Sequence, residues 1–338
     1  MQKAAVLSKI GEYPVVSEIE DEEPGDDEVL IEQRETGICY RDILTMDGFF
    51  PRVTLPIVPG HEISGIVVKT GKNVRKFKEG DRVASLIYVP CGTCEYCRSG
   101  RENLCRNKKT FGETLNGAYR KFIRVPEISL VKVPSGVQEE AAVISACVTG
   151  MIIQALETAG NLREGQTVLV TGAGGGVGAH AVQVAKALGA HVIAETSSEW
   201  KKEMLYRLGV SEIVPSENFS RRVKEISGGD GVDIVLETVG SPTFNDSFRS
   251  LKFGGRVVVI GNVDVNPVTL PLGNLILKGN VIAGSISSTR KDMRKALRLS
   301  KEGKISPVVG KVFSLDEVGE AYREMKERKI FGRAFIRF

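Results

Sequence analysis

Residues 166–198 read QTVLVTGAGGGVGAHAVQVAKALGAHVIAETSS, and the fold follows from this stretch. Thr167–Thr171 is a short apolar, β-branched run that predicts a buried strand, and His191–Glu195 predicts a second. Between them Val177, Ala181, Val184, Ala185 and Leu188 recur at helical spacing. The first strand runs into Gly172, Ala173, Gly174, Gly175, Gly176, Val177 and Gly178, a turn nearly free of bulky side chains. Such a turn lets backbone N–H groups approach a pyrophosphate at the positive end of the following helix. The pattern is A-x-G-x-x-G on Ala173, Gly175 and Gly178, a variant of the dinucleotide fingerprint, placed after a strand and before a helix as that fingerprint requires. Further strands are expected at Ile213–Val214, Val232–Leu236 and Arg256–Ile260. Repeated strand–helix alternation predicts an α/β fold with a doubly wound parallel sheet, a Rossmann dinucleotide-binding domain.

The choice of dinucleotide is made at the end of the second strand. A carboxylate there accepts from the ribose 2′-hydroxyl of NADH and repels a 2′-phosphate. Here Glu195 is followed by Thr196, Ser197 and Ser198, then by Lys201 and Lys202. Hydroxyls and a lysine suit a phosphate, so NADPH is expected in preference to NADH. Glu195 pulls the other way if its side chain faces the ribose.

The chain of 338 residues has room for two domains. With 42% hydrophobic and 26% charged residues, wholesale disorder is excluded. The net charge of +4 is scattered without a basic run, which argues against a nucleic-acid partner. No apolar stretch reaches the ~18 residues of a spanning helix. The opening residues MQKAAVLSKIGEYPVV lack the apolar core of a signal peptide. A cytoplasmic protein without a membrane partner is expected.

Four of the six cysteines lie close together: Cys91, Cys94, Cys97 and Cys105, in PCGTCEYCRSGRENLC. Two C-x-x-C steps and a fourth cysteine after a short loop suit a tetrahedral thiolate shell around Zn²⁺. Four protein ligands leave no open position, so the zinc is expected to be structural. An iron–sulfur cluster also takes four thiolates, and two disulfides or free thiols are further alternatives. A nucleic-acid zinc ribbon is disfavoured because no basic or aromatic stripe surrounds the loop. The other two, Cys39 and Cys147, flank PGHEISG, which holds His61 and Glu62. Cys39, His61 and Cys147 would make a second zinc site with a position open to water or substrate. Taken singly, each of these cysteines reads rather as a small buried hydrophobe.

With the cysteine loop, PGHE and AGGGVG in this order, the chain resembles the medium-chain dehydrogenase/reductase superfamily of zinc-type alcohol dehydrogenases and quinone reductases. The resemblance spans nearly the whole length and includes GICYRDIL, EGDRVASL (79–86), SLVKVP (129–134) and FGRAFIRF at the end. It implies a GroES-like, β-rich catalytic domain over residues 1–147, carrying the zinc lobe 91–105. A Rossmann domain over 148–285 and a return to the catalytic domain over 286–338 would follow, with the active site in the cleft between domains. It also implies cofactor contacts from Thr149, Gly261 and Asn262, and from Arg333 to the pyrophosphate. Homodimers or homotetramers are usual in the superfamily. Apolar residues in the stretch 262–285 are expected to make an edge-strand contact between subunits.

The chain departs from the alcohol dehydrogenase pattern in three places. Arg41 stands where a Ser or Thr relays the alcohol proton, and Leu44 where a His often completes the relay. Cys147 lies only two residues before Thr149, where four is usual, so one ligand is out of register. The segments CYRDIL, GFFPR, GTCEYC, CVTGMI, ETVGSPTF and IGNV resemble the archaeal acryloyl-CoA reductases within the superfamily. That resemblance implies NADPH-dependent reduction of a conjugated C=C in an enoyl thioester or enone. Cys39, Tyr40, Asp42, His61, Glu62 and Cys147 are then the catalytic candidates, with Tyr40 as proton donor and Glu62 at or just behind a cleft zinc. Arg41 and Arg52 are candidates for attracting an acidic CoA thioester. The alternative enzyme is a zinc-dependent NAD(P) alcohol dehydrogenase or aldehyde reductase. An alternative of another class is a non-catalytic NADPH-binding structural or sensor protein.

Overall fold

The computed structural model describes residues 1–264 and 266–338, so Val265, within the apolar stretch 262–285, lies outside the described residues. The chain divides into two compact units: residues 1–150, 287–303 and 309–338 form the first, and 151–286 with 304–308 the second.

The first unit is built on a five-stranded antiparallel sheet, in the order Leu130–Lys132, Arg82–Ser85, Ser64–Thr70, Glu28–Glu32, Phe122–Pro126. In EVLIE, Val29 and Ile31 point inward and join Ile63, Val67, Val83, Ile123 and Val125 in one core, while the alternate residues stay partly exposed. That period-2 alternation is what a half-buried strand demands. A three-stranded sheet brings the end of the chain back to its beginning. Arg333–Arg337 runs antiparallel to Glu35–Ile38, with Ala334 opposite Ile38, and parallel to Val309–Ser314. This pairing sets Arg333 beside the segment that enters helix α1 (Tyr40–Met46). Cys39 is the N-cap of α1, and the Asp42 carboxylate accepts the Cys39 N–H at 2.9 Å. Ile43 and Met46 bury the inner face of α1 against Ala4, Leu7, Ile38, Tyr119 and Tyr322.

The second unit has six parallel strands: β1 (Thr167–Val170), β2 (His191–Glu195), β3 (Glu212–Val214), β4 (Val232–Glu237), β5 (Leu251–Val259) and β6 (Val281–Gly284). Their spatial order is β3-β2-β1-β4-β5-β6, the doubly wound parallel sheet expected. The order reverses between β1 and β4, and in such sheets ligands bind outside the carboxyl ends of the strands at that point. Helix α2 (Gly176–Ala187) follows the glycine turn and buries Ala181, Val182, Val184 and Ala185. Strand β5 begins five residues before the expected Arg256, because Gly254 and Gly255 hide its first half from a reading based on apolar runs. Helix α3 (Ser241–Arg249) leaves the end of β4, and helix α4 (Leu272–Lys278) precedes the edge strand β6.

Residues 304–308 are held against α2 by His180, which is fully buried. Its Nδ1 donates to the Gly176 carbonyl at 2.7 Å, and its Nε2 accepts the Val308 N–H at 2.9 Å. The second bond requires a lone pair on Nε2, so the ring is neutral. Burial pushes its pKa down to about 4, with the Gly176 bond opposing only in part.

Candidate active site

Cys39, His61 and Cys147 converge in the first unit although they come from three separated segments. Cys147 Sγ lies 3.9 Å from Cys39 Sγ and 3.2 Å from His61 Nε2. Zn–S bonds of ~2.3 Å set tetrahedral ligand–ligand edges of about 3.8 Å. The three donors therefore fit a zinc ion, and a Glu62 carboxylate oxygen lies within 4.8 Å of each of them. The offset that put Cys147 out of register does not remove it from the cluster. Residues Ser145–Gly150 wind as a π-helix, in which the Thr149 N–H reaches back to the Ile144 carbonyl at 3.1 Å. That wider turn aims Cys147 at Cys39 and His61; such turns occur often at functional sites.

Around the donors the charges are matched. His61 Nδ1 is 3.0 Å from Asp42 Oδ1, which orients the ring and leaves Nε2 toward the cysteines. The other Asp42 oxygen accepts from the Tyr119 hydroxyl at 2.8 Å as well as from the Cys39 N–H. Burial would lower the His61 pKa, but the Asp42 carboxylate and Cys39 outweigh it and raise it to about 9. The proton shared with Cys147 holds Cys39 well below the usual thiol range against the cost of burial, with the Arg333 charge assisting. Cys147 is pushed up by the same sharing and by burial.

Glu62, fully buried, is paired with the buried Arg333. Arg333 Nε donates to Oε2 at 3.2 Å, and Nη2 bonds Oε1. Gly37 makes room for this pair, since a Cβ there would meet the Glu62 carboxyl carbon at 2.8 Å. The structure thus places Glu62 beside the cluster with both oxygens engaged by Arg333. Sequence reasoning tied Arg333 to the pyrophosphate and missed this ion pair, whose partners are 271 residues apart.

Tyr40, first in α1, is half-buried and packs on the Ile38–Ile43 core. Arg41 stacks on Phe50, 4.1 Å from the ring centroid, and forms an ion pair with Glu113. Glu113 was not read from the sequence, and only its contact with Arg41 marks it. Arg52 is exposed, and Thr149 is buried with its hydroxyl donating to Ile144.

The other cysteine group is compact and local. Cys97 Sγ lies 3.9 Å from Cys91 Sγ and 3.5 Å from Cys94 Sγ, and the Cys91 N–H points at Cys105 Sγ from 3.4 Å. All four sulfurs lie within 4.8 Å of one another, again the scale of a tetrahedral zinc shell. Backbone N–H groups of Thr93 and Cys94 bring the Cys91 pKa down to about 6, which favours the thiolate a metal needs. Burial and Cys94 raise that of Cys97 to about 12.

In the second unit, the glycine turn closes tightly: a Cβ at Gly178 would lie 2.6 Å from the Ala173 Cα. Glu195 does not face outward at the end of β2. It is 2% exposed, and its carboxylate accepts the Gly172 N–H at 2.8 Å and bonds the Ser216 hydroxyl. The side chain that favoured NADH in the sequence is thereby spent on the turn. Thr196 accepts the Ser198 N–H at 3.2 Å, and Ser197 is exposed. Lys201 is buried rather than solvated, with Nζ donating to the Gly174 carbonyl at 3.3 Å. Gly261 and Asn262 continue from β5 at the same carboxyl edge, where the Gly261 N–H donates to the Glu237 carbonyl at 3.2 Å.

Residues 25–135 match the alcohol dehydrogenase GroES-like domain, and residues 176–302 match the zinc-binding dehydrogenase family. The acryloyl-coenzyme A reductase of Metallosphaera sedula is 44% identical, over 99% of each chain. That of Sulfurisphaera tokodaii is 44% identical over 95% of this chain and 96% of its own. Among solved structures, an NAD-dependent alcohol dehydrogenase superposes with a TM-score of 0.93 at 31% identity, covering 99% of both chains. The protein carries the GroES-like and Rossmann-type domains, and binds zinc and a nicotinamide cofactor as an oxidoreductase. The chain belongs to the zinc-type medium-chain dehydrogenase/reductase family.

Proposed function

We propose that the protein reduces the conjugated C=C of an enoyl-CoA thioester, acryloyl-CoA being the leading substrate, with NADPH as hydride donor. The observation that carries this reading is the identity gradient: 44% to the acryloyl-CoA reductase against 34% to an alcohol dehydrogenase, each over 99% of this chain. Arg41 agrees with it. A guanidinium stays protonated at working pH and cannot relay an alcohol proton, yet it can donate to a carbonyl oxygen or an anionic group. Glu113 and Phe50 hold it in place, two residues after Cys39 in the chain.

Reduction places hydride on the β-carbon and a proton on the α-carbon, with negative charge developing on the thioester oxygen between the two events. When bound, zinc on Cys39, His61 and Cys147 supplies a Lewis acid for that oxygen, and NADPH supplies the hydride. Asp42 fixes the His61 ring, and Arg333 pairs with the Glu62 carboxylate beside the donors. Tyr40 remains our candidate for proton delivery, at the start of α1 next to Cys39. Glu195, turned into the glycine loop, leaves Thr196, Ser197 and Ser198 to meet a 2′-phosphate, which supports NADPH over NADH.

The edge strand β6 and helix α4 support a homodimer. Ile276 and Leu277 are 75% and 78% exposed, and Leu272 and Phe253 add to the face. An unpaired strand edge can pair with its own copy about a two-fold axis. Among the described residues no helix is long and apolar enough to cross a membrane, and a cytoplasmic setting suits six reduced cysteines.

The deciding experiment follows NADPH oxidation with acryloyl-CoA, crotonyl-CoA, simple enones and aldehydes, with zinc measured on the same sample. Turnover of the CoA thioesters is expected. Aldehyde reduction without enoyl turnover would replace this reading with the alcohol dehydrogenase one, which the three converging zinc donors favour.

A further inference from the structure

Glu237, the last residue of β4, is fully buried. A carboxylate in such a place is costly unless its oxygens are filled. Oε1 accepts from Thr171 Oγ1 at 2.8 Å, from the Val239 and Gly240 N–H groups at 2.9 Å each, and from Thr243 Oγ1 at 2.7 Å. Oε2 accepts from Ser247 Oγ at 2.5 Å. The donors belong to three segments: the residue before the glycine turn, the loop after β4, and the first turns of α3.

The ties continue outward. Thr171 Oγ1 accepts the Thr238 N–H at 2.9 Å, and Thr238 Oγ1 donates to the Thr171 carbonyl at 2.7 Å. The Glu237 carbonyl takes the Ile260 N–H at 2.9 Å, and the Val263 N–H donates to Val239 at the same distance. Loops following β1, β4 and β5 are thereby joined around one side chain at the carboxyl edge of the sheet, where the strand order reverses.

Two helices, α2 and α3, begin at this edge, and each start carries partial positive charge. Glu237 takes the Val239 and Gly240 amides just before α3 and the Thr243 hydroxyl in its first turn, so a carboxylate already stands at that end. The start of α2, with its bare glycine turn, is the one left for a pyrophosphate.

We infer that Glu237 is a positioning residue of the dinucleotide site: it locks the Thr238–Gly240 loop to the glycine turn and, by occupying the α3 end, directs the cofactor phosphates to α2. This rests on the dinucleotide binding at the glycine turn and not on the identity of the acyl substrate.

Trp200, the single tryptophan, precedes Lys201, whose Nζ donates to Gly174 of the turn, and is the probe for NADPH titration by fluorescence without any acyl compound. Glu237→Gln, which puts an NH₂ among the donors, is expected to raise the Kd for NADPH by about tenfold or more. The KM for NADPH should rise with it, and kcat at saturating NADPH should fall less. Thr171→Val breaks only the turn-side contacts and should weaken binding in the same direction, which keeps the test decisive if the first variant does not fold. Ser247→Ala breaks one of the two α3 side-chain contacts, leaving Thr243, and should leave Kd within about twofold. A folded Glu237→Gln or Thr171→Val protein that binds NADPH like the parent overturns the inference. Equal weakening by all three variants also overturns it, because Glu237 would then act only by anchoring α3. If the parent itself binds no NADPH in equilibrium dialysis, the cofactor reading falls instead.

Discussion

Acidification below neutrality should loosen the second unit through one residue, His180. Its ring is buried with both nitrogens used, Nδ1–H on Gly176 and Nε2 accepting from Val308. Protonating Nε2 destroys the bond to Val308 and leaves a charge without a partner there. The folded pKa of about 4 lies below the ordinary 6.5. A depressed histidine pKa means that the unfolded chain takes up the proton first. The contribution is therefore whole above pH 6.5 and is lost as pH falls toward 4. From the two values the loss amounts to about 2 kcal/mol at pH 5 and about 3 kcal/mol at pH 4. The assay is urea unfolding followed by Trp200, which reports on the second unit, for the parent and His180→Gln between pH 7.5 and 5. The parent should be the more stable at the upper end, and its advantage should shrink by about 2 kcal/mol toward the lower. Titration of carboxylates and zinc thiolates is common to both proteins and cancels in the difference. Parallel loss of stability by the two proteins would refute the reasoning.

Two further outcomes follow from surfaces and metals. Cys97→Ser should remove about one zinc per chain and expose the 91–105 lobe to proteolysis, because none of the described apolar clusters includes a residue of the lobe. Retention of full zinc content, measured by metal analysis, would contradict the four-thiolate shell. Replacing Ile276 and Leu277 together by Lys should convert a dimer to monomer in light scattering, with little change in thermal stability of the isolated chain. An unchanged mass would place the subunit contact elsewhere or remove it.

Much of this molecule is written locally. The strand, glycine turn and helix of residues 167–187 are contiguous, so periodicity and bare backbone reveal them without knowledge of the rest. The four-cysteine lobe is legible for the same reason, since its ligands span 91–105 and their spacing nearly sets their geometry. The parallel sheet follows from alternation of strand and helix. The hidden half of β5 shows the limit: glycine carries no side chain from which to read burial.

What the tertiary structure alone decided depends on residues far apart in the chain. Cys39 and Cys147, 108 residues apart, meet because a π-helical segment turns Cys147 toward His61. Arg333 reaches Glu62 only because the last strand pairs with residues 35–38. The sequence by itself determined a glycine turn at 172–178 and a second strand ending at Glu195, and it could not say which way that carboxylate faces. A side chain at a strand end can point to solvent or to a neighbouring N–H, and the Gly172 amide settles the choice. Glu237 is the plainest case: a glutamate in a strand is ordinary in sequence, and only five converging donors give it meaning.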